Sequence, residues 1–436
     1  MFKAVIGLQF GDEGKGKFVD LLAQRYKHIA RFNGGTNAGH TVSFNGKRTV
    51  FSQIPATVID GKHLYVCQGA LICMEKMIEE LAFLREYCPN SKVFIDPRCH
   101  ITLPIHIELN KASEAYKGKN KIGSVGVGVG ACFEDKTNRT GIRLIDTMDE
   151  KRLKEKLEIL WHLRQKQISK VFNSELWLDF EQEYCRLLEQ GKELKSYFAY
   201  TNEIIGELIS DKVNILLESS QATFLDNSFG TYPYTVAYQT LIQNCFPSIG
   251  IPANKISILG VMKCYMIRVG NGPFPTELFD EKANYIRVKG NEFGSVSKRP
   301  RRCGWLDLVL IEHSIKLNGV NEIAITNVDA LAGVETVQVC TSYKLNNRPV
   351  CTNEALLYLD DVTLEYQSFK GWPELAEHYD NVEQLPNELI EYLCFIQSRV
   401  NVDISHISYG PDRSQTIEVR TKLLKCNFSL LEEMLV

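Results

Sequence analysis

Short apolar runs recur along the chain, and most of them end in glycine or in polar residues. The first run, FKAVIGLQF, leads into a glycine-rich stretch. Further runs are HIARFNGG, HLYVCQGA, KVFIDP, NILLESS, KISILGVM and NEIAITNVD. Several are continuously apolar, which is typical of strands covered on both faces. The pattern predicts an α/β protein with a large mixed, mostly parallel sheet flanked by helices.

The residues after the first glycine-rich stretch have helical spacing. Phe18, Leu21, Leu22 and Tyr26 recur at intervals of three to four residues. The N-terminal segment is therefore predicted to form a strand, a loop and a helix, as in phosphate-loop proteins.

A second helical pattern extends from about residue 149 to residue 209, where Lys, Glu, Leu and Gln dominate. Its clearest apolar positions are Leu153, Leu157, Leu160, Trp161 and Leu163. We interpret this segment as a helical insertion whose charged positions form a solvated face. Because no internal repeat, low-complexity tract or Ser/Pro-rich linker is evident, we predict one domain over residues 1–436.

Composition narrows the class of protein. The 436 residues are 44% hydrophobic and 24% charged, which is ordinary for a globular protein. No apolar run approaches the roughly 18 to 20 residues of a membrane helix, and the N-terminus lacks a signal-peptide pattern, so we expect a cytoplasmic protein without a membrane partner. A net charge of −3 likewise gives no general attraction to nucleic acid.

The cysteines favour neither a disulfide framework nor a structural zinc site. There are 13 of them, an odd number, and they are scattered without C-x-x-C pairs. We expect most of them to be small buried apolar residues.

The stretch GDEGKGK, from Gly11 to Lys17, fits the first seven positions of the phosphate-loop pattern G-x-x-x-x-G-K. Glycines let backbone N–H groups turn towards an anion, and Lys15 or Lys17 supplies a positive charge. Position 18 is Phe, where the pattern has a hydroxyl ligand for Mg²⁺. Asp12 is the candidate to replace it, to take a proton from a substrate, or to do both. The alternative is a glycine-rich turn without a ligand.

A second polar loop follows the second predicted strand. In ARFNGGTNAGHTV, Asn37, Gly39, His40 and Thr41 lie on glycine-flanked backbone. Such a loop is poorly suited to a core and well suited to a site. A single histidine is more often structural than catalytic, but its place between Gly and Thr near a phosphate loop favours chemistry.

Six motifs together resemble the adenylosuccinate synthetase family. They are GDEGKGK, NGGTNAGHTV, GTYPY, RVGNGPFPTEL, RRCGWLDLV and SYGPDRSQTI, in this order and covering essentially the whole chain. The resemblance implies a ligase that uses GTP and Mg²⁺ to join L-aspartate to carbon 6 of the purine of IMP. The ring oxygen is first phosphorylated, and the aspartate amine then displaces phosphate to give adenylosuccinate, GDP and phosphate.

The resemblance also implies roles for individual residues. Asp12 is the general base that deprotonates N1 and a metal ligand together with Gly39, His40 is the general acid, and Lys15 is the third catalytic residue. The implied GTP-binding residues are Gly14, Gly16, Lys17, Thr41, Asn327, Asp329, Ser408 and Gly410. Those for the purine acceptor are Asn37, Ser124, Val125, Arg139, Gln221 and Val236, and those for aspartate are Ser297, Arg299 and Arg301. In a homodimer, Arg139 reaches the nucleotide of the partner subunit.

The chemistry of the side chains themselves also supports two of these assignments, the one for guanine and the one for aspartate. Asp329 follows an apolar strand and can accept hydrogen bonds from the N1–H and amino group of guanine, a pair that adenine lacks. Its alternative role is that of a helix N-cap. The arginines of SKRPRRCGW, including Arg302, suit bidentate carboxylate binding, and their alternative role is a surface basic patch.

Departures from the family pattern concentrate at the phosphate group of the acceptor. Val125 and Val236 stand where the family has phosphate-binding threonines, Val127 replaces an arginine, and Asn327 replaces a lysine. A hydrogen bond to a charged group contributes about 1.5–3 kcal/mol, so we expect a divergent member with weakened binding of a 5′-monophosphate.

Three alternatives follow from these departures. The chain is an active synthetase for IMP, a synthetase for another hypoxanthine-type acceptor, or a non-catalytic paralogue that binds GTP and purines. Retention of Asp12, His40 and Asp329 argues against the third alternative.

Overall fold

The computed structural model describes residues 1–44, 46–294 and 299–419. They form two compact units. The first contains residues 1–6, 15–256 and 270–272, and the second contains residues 7–14, 257–269 and the described residues from 273 onwards. The prediction of a single domain stays a prediction.

The first unit contains nine strands and eight helices among its described residues. The strands are β1 Phe2–Gly7, β2 His28–Arg31, β3 His40–Phe44, β4 Lys47–Phe51, β5 His63–Val66, β6 Leu71–Ile72, β7 Lys92–Ile95, β8 His100–Ile101 and β9 Ile215–Ala222. The helices are α1 Lys15–Ala23, α2 Met74–Tyr87, α3 Pro104–Lys117, α4 Val129–Asn138, α5 Glu150–Lys166, α6 Phe180–Leu194, α7 Thr201–Ser210 and α8 Cys245–Ile249.

The described part of the second unit contains ten strands and four helices. The strands are β10 Ile256–Lys263, β11 Met266–Arg268, β12 Arg302–Gly304, β13 Leu306–Asp307, β14 Glu322–Thr326, β15 Thr336–Leu345, β16 Arg348–Pro349, β17 Thr363–Lys370, β18 Asp403–Ser408 and β19 Thr416–Glu418. The helices are α9 Glu281–Lys289, α10 Leu308–Asn318, α11 Thr352–Ala355 and α12 Asn387–Val400.

The strands of each unit form a mostly parallel sheet, which confirms the predicted α/β class. In the first unit its order is β1-β9-β2-β5-β7, with β2 parallel to both β5 and β9. In the second unit the order is β19-β18-β14-β10, where only β19 pairs antiparallel to its neighbour. Every residue of β2 and β9 is buried, as expected for strands covered on both faces.

The predicted helical insertion consists of α5, α6 and α7, and Asp149 and Asp179 cap the first two through backbone N–H groups 3.0 and 2.7 Å from their side chains. A short π-helical turn, Gln167–Val171, ends α5. Leu163, predicted with the apolar positions, is 40% exposed and lies outside the buried stripe of α5.

The predicted first helix is shorter than its apolar spacing suggested. The helix α1 ends at Ala23, and the backbone N–H groups of Arg25 and Tyr26 bond three residues back, to Leu22 and Ala23, in a tighter turn. Tyr26 is therefore not part of the helix, because the local turn overrides the side-chain pattern.

Two further expectations concern thiols and membranes. Most cysteines in the described residues are buried, and none of those described forms a disulfide. Within the described ranges, no helix combines the length and apolar character that spanning a membrane requires.

Candidate active site

The glycine-rich loop between β1 and α1 is shaped by a buried acid. Oε1 of Glu13 accepts the backbone N–H groups of Gln9 at 3.2 Å and Gly11 at 2.8 Å. The hydroxyl of Thr326, at the end of β14, donates to the carbonyl oxygen of Glu13 at 2.8 Å. Within this loop Asp12 has a φ of 60°, a left-handed conformation that is uncommon outside glycine. The loop is thus held by specific bonds in a conformation that orients Asp12.

Asp12 and Arg301, predicted to bind different groups, form an ion pair. Nη2 of Arg301 lies 2.6 Å from Oδ2 of Asp12, whose side chain is 31% exposed. Nη1 of Arg301 lies 2.8 Å from the buried carboxylate of Glu292. Glu292 in turn contacts the ammonium group of Lys263. The four side chains therefore form a row of alternating charge.

The first turn of α1 packs closely against the second polar loop. A Cβ atom at Gly16 would lie 2.9 Å from Cβ of His40 and 3.0 Å from the carbonyl oxygen of Thr41. Only glycine, which has no Cβ atom, allows the helix and the loop to lie this close. Lys15 and Lys17 lie on the same turn and are buried. The structure thus brings together the predicted residues Lys15, Gly16, Lys17, His40 and Thr41.

His40 is buried and fixed at both ring nitrogens. Its Nδ1 contacts the carboxylate of Glu218, and its Nε2 lies 3.1 Å from the carbonyl oxygen of Ser220. Burial lowers the pKa of His40, and the Glu218 carboxylate opposes this effect. Because both neighbours are acceptors, the geometry suits a ring that carries a proton on each nitrogen. A histidine held in this way can act as a proton donor.

Glu218 is itself held in place. It is fully buried, its Oε2 accepts the backbone N–H of Ala56 at 2.8 Å, and Nη1 of Arg31 lies 3.9 Å from its Oε1. Although burial acts in the opposite direction, His40 and Arg31 lower the pKa of Glu218. Glu218 is thus a charged partner with a fixed position behind His40.

Two predicted acceptor-binding residues, Asn37 and Gln221, lie together. Nε2 of Gln221 donates to the carbonyl oxygen of Asn37 at 3.4 Å, and Nδ2 of Asn37 donates to the hydroxyl of Tyr238 at 3.4 Å. In the described part of the chain, Oδ1 of Asn37 is buried without a hydrogen-bond partner. A buried acceptor of this kind is costly unless a ligand or water satisfies it.

The other predicted acceptor residues lie in different environments. Ser124 is hydrogen-bonded to the side chain of Asn110, 3.1 Å away, and Val125 is 46% exposed. Val127 and Val236 instead pack against one apolar cluster, which consists of Leu71, Val129, Cys132 and Tyr238. Arg139 is exposed in a left-handed conformation at the end of α4. Valine at positions 127 and 236 is therefore explained by apolar packing.

The predicted guanine-binding residues follow two neighbouring parallel strands. Asp329 lies just after β14, and Ser408 ends β18, which pairs parallel to β14. The Ser408 hydroxyl donates to the carbonyl oxygen of Gly410 at 3.3 Å. Ligands of α/β sheets bind at this carboxyl edge. The alternative N-cap role of Asp329 is wrong, because Asn327 occupies the cap position of the turn Val328–Leu331.

The predicted aspartate-binding arginines differ in their surroundings. Arg299 is exposed, and its carbonyl oxygen accepts the N–H of Gly294 at 2.8 Å. Arg302 is engaged by Glu277 through two contacts, one of them 2.8 Å long, so it is a structural residue. Ser297 lies outside the described residues.

The chain is similar to known proteins over most of its length. Residues 4–417 match the family model for adenylosuccinate synthetase. The chain is 60% identical to adenylosuccinate synthetase 1 of Photorhabdus laumondii, over 96% of this chain and 100% of that protein. It is 37% identical to the synthetase of Acetivibrio thermocellus over 96% and 99% of the two chains. The chain belongs to the adenylosuccinate synthetase family.

A solved structure of a family member supports the fold. The fully ligated adenylosuccinate synthetase of Plasmodium falciparum superposes with a TM-score of 0.89 at 30% identity and covers 96% of this chain and 99% of that one. The resemblance seen in the sequence is thus confirmed. The expectation of a divergent member is not supported, because a curated synthetase is 60% identical over nearly the whole chain.

Sequence reasoning missed three acids of this adenylosuccinate synthetase fold. Glu13, Glu218 and Glu292 each hold a predicted site residue or its backbone in place. In the sequence, the only sign of Glu13 was its place next to Asp12 in the glycine-rich loop. The other two were hidden because each contacts its partner only after the chain has folded.

Proposed function

We propose that the chain joins L-aspartate to carbon 6 of IMP through a 6-phosphoryl intermediate, with conversion of GTP to GDP and phosphate. Membership of the family makes it a carbon–nitrogen ligase of purine biosynthesis that binds GTP and IMP. The observation that carries the residue-level proposal is Asp12: a partly exposed carboxylate held in a left-handed conformation inside an anion-binding loop.

Asp12 is proposed as the general base. Ordinary phosphate loops have no need for a carboxylate at this position, whereas phosphorylation of a purine oxygen needs a group that removes the N1 proton. Loss of that proton places negative charge on the ring oxygen, which then attacks the terminal phosphorus of GTP. The loop's backbone N–H groups and Lys15 favour the negative charge of the phosphates.

His40 is proposed as the general acid that hydrogen-bonds the oxygen being phosphorylated. Glu218 accepts from Nδ1 and keeps a proton on that side of the ring. Donation to the acceptor oxygen would then come from Nε2, with the substrate oxygen replacing the carbonyl oxygen of Ser220 as its partner. The amine of aspartate then attacks carbon 6, and phosphate leaves with the former ring oxygen.

Asp329 is proposed to select guanine. A carboxylate accepts from both N1–H and the exocyclic amine of guanine, whereas adenine would leave it unpaired. Its place beyond β14, next to the end of β18, supports this role.

Mg²⁺ is proposed to be held by Asp12 and by the carbonyl oxygen of Gly39. The partly exposed carboxylate of Asp12 and a backbone carbonyl are hard oxygen donors of the kind that Mg²⁺ takes, whereas Phe18 is fully buried in α1 and offers no oxygen at the usual hydroxyl position. When bound, Mg²⁺ neutralises charge on the transferred phosphoryl group.

Arg299, Arg301 and Ser297 are proposed to bind the carboxylates of L-aspartate. Two broader proposals concern the whole protein. It acts as a homodimer in which the exposed Arg139 reaches the acceptor of the partner subunit. It works in the cytoplasm, where buried reduced thiols such as those described here persist.

The test measures release of phosphate from GTP by the purified protein. The proposal requires release that depends on both L-aspartate and IMP, with inosine, dIMP, GMP and ITP as alternative acceptors in the same assay. A clear preference for IMP at micromolar concentration establishes the acceptor. Preference for an unphosphorylated or differently phosphorylated purine would establish the second alternative, and binding without turnover would establish a non-catalytic paralogue.

A further inference from the structure

Glu292 is a fully buried acid that no motif pointed to. It follows α9, and its carboxylate has contacts on both oxygens. Oε1 contacts the ammonium group of Lys263 and the hydroxyl of Tyr265, the latter at 2.5 Å. Oε2 accepts from Nη1 of Arg301 at 2.8 Å. A buried carboxylate with three donors has a fixed position.

The same segment also fixes the backbone of Arg301. The N–H of Arg301 donates to the carbonyl oxygen of Glu292 at 2.9 Å, and Phe293 and Pro300 form an antiparallel bridge next to this bond. Glu292 and Arg301 therefore lie opposite each other on two antiparallel segments of the chain. The backbone hydrogen bond and the side-chain ion pair thus both hold Arg301 next to Glu292.

The guanidinium group of Arg301 lies between two carboxylates. Nη1 bonds Glu292, Nη2 bonds Asp12 at 2.6 Å, and within the described residues the buried Nε has no partner. The Arg301 side chain is 11% exposed and is thus largely removed from water. Since a planar guanidinium has one orientation once two of its nitrogens are bonded, Glu292 determines where Nη2 and Nε point.

We infer that Glu292 is a positioning residue that orients Arg301, and through it the carboxylate of Asp12, for the reaction. The inference rests on the proposed roles of Arg301 in binding aspartate and of Asp12 as base. The row from Lys263 through Glu292 and Arg301 to Asp12 supports it, because removal of the single inner acid leaves two largely buried cations facing each other.

The first test is Glu292→Gln, with steady-state kinetics for each substrate. The amide cannot accept from Lys263, Tyr265 and Arg301 as the carboxylate does. We expect the KM for aspartate to rise by about tenfold to a hundredfold, which is the range for loss of a charge-assisted hydrogen bond. The KM for GTP should change by less than about threefold, since the variant leaves the glycines and lysines of the loop in place.

A matched control is Glu183→Gln in the first unit. Glu183 is also a buried acid paired with an arginine, Arg186, but on one helix and outside the predicted site. It should lower the unfolding temperature without changing the KM for aspartate. An equal rise of that KM in both variants would overturn the inference.

The double variant Lys263→Met with Glu292→Gln separates positioning from charge balance. If Glu292 served only to neutralise Lys263, removal of both charges would restore the wild-type KM for aspartate. Positioning of Arg301 predicts that the KM stays raised in the double variant. Restoration would overturn the inference.

A milder variant covers the case in which Glu292→Gln does not fold. Tyr265→Phe removes one bond to Glu292 and keeps every charge. We expect the KM for aspartate to rise by about two- to fivefold, in line with one hydrogen bond, and an unchanged KM would overturn the inference. Failure of the proposed function is distinct, because the wild-type protein itself would then release no phosphate in response to aspartate.

Discussion

Among single residues, Asp12 has two properties that restrict which residue types can replace it. Its φ of 60° is uncommon for a residue with a side chain, and its carboxylate is paired with Arg301. Asn and Asp are the non-glycine residues that adopt this conformation most readily. The position therefore admits Asn without loss of the loop, and this allows its chemistry to be tested separately from its conformation.

Asp12→Asn should lower turnover by roughly 10² to 10⁴, the usual contribution of a proton-transfer group. The unfolding temperature should stay close to that of the wild type, because the side chain is partly exposed and Asn keeps the backbone conformation. Phosphate release and thermal unfolding measure the two effects. Asp280→Asn, at the cap of α9, is the control and should keep full turnover; an Asp12→Asn protein that is equally active contradicts the role of base.

The valines at the predicted phosphate group of the acceptor give a second prediction. Given the family membership, we expect wild-type protein to use IMP, so Val125→Thr with Val236→Thr should change the KM for IMP by less than about tenfold. Val236→Thr should also lower the free energy of unfolding, by about 1 kcal/mol, because it places a hydroxyl against an apolar cluster. An improvement in IMP use of tenfold or more would mean that the valines define another acceptor.

Among the secondary-structure elements, helix α10 and strand β15 are linked by Asp307. Its Oδ1 accepts the N–H of Leu310 at 3.2 Å and so caps α10, and its Oδ2 accepts from the hydroxyl of Tyr343. Burial raises the pKa of Asp307 to about 7. The folded protein therefore holds this proton more tightly than the unfolded chain, where the pKa is about 4.

Stability should accordingly fall as the pH rises from about 4 to about 7. A raised pKa contributes stability that is complete below the unfolded pKa and is lost as the pH rises through the folded one. Asp307→Asn mimics the protonated form and should remove this dependence. Urea unfolding from pH 4 to 8 should show the wild type losing up to about 4 kcal/mol relative to the variant, at about 1.4 kcal/mol per pKa unit. Parallel curves would contradict the shift.

For the molecule as a whole, the proposed homodimer makes a prediction about mixed subunits. If Arg139 completes the acceptor site of the partner, Arg139→Leu and Asp12→Asn proteins should each be inactive alone. Mixed and allowed to exchange subunits, they should recover up to about a quarter of wild-type activity, since hybrid dimers contain one site with neither change. Lack of recovery, with exchange shown by labelled subunits, would contradict a shared site.

Much of the fold and of the chemistry could be predicted from the order of the residues alone. Runs such as NILLESS predict strands because their apolar residues suit burial on both faces, and β9 is indeed buried along its whole length, including its polar second half. The phosphate loop is recognisable because its glycines, lysines and Asp12 are adjacent in the chain. The helical insertion follows from its period, apart from Leu163, whose exposure depends on what surrounds α5.

The rest depends on contacts between residues distant in sequence. Glu218 is 178 positions from His40, and the local pattern gives no sign that the two meet. Arg301 and Arg302 are neighbours in the chain, yet one pairs with Asp12 and the other with Glu277. Which arginine is available for a substrate is decided by the path of the backbone on either side of each residue.

Local order and residue type are enough to specify the α/β class, the phosphate loop and the chemical groups for a purine ligase. Which acids hold those groups is set only when the chain folds: Glu13 holds the loop, Glu218 the histidine and Glu292 the arginine. The physical reason is that a charged side chain is stable in the interior only beside an oppositely charged or hydrogen-bonding partner. Tertiary packing decides which partner lies there.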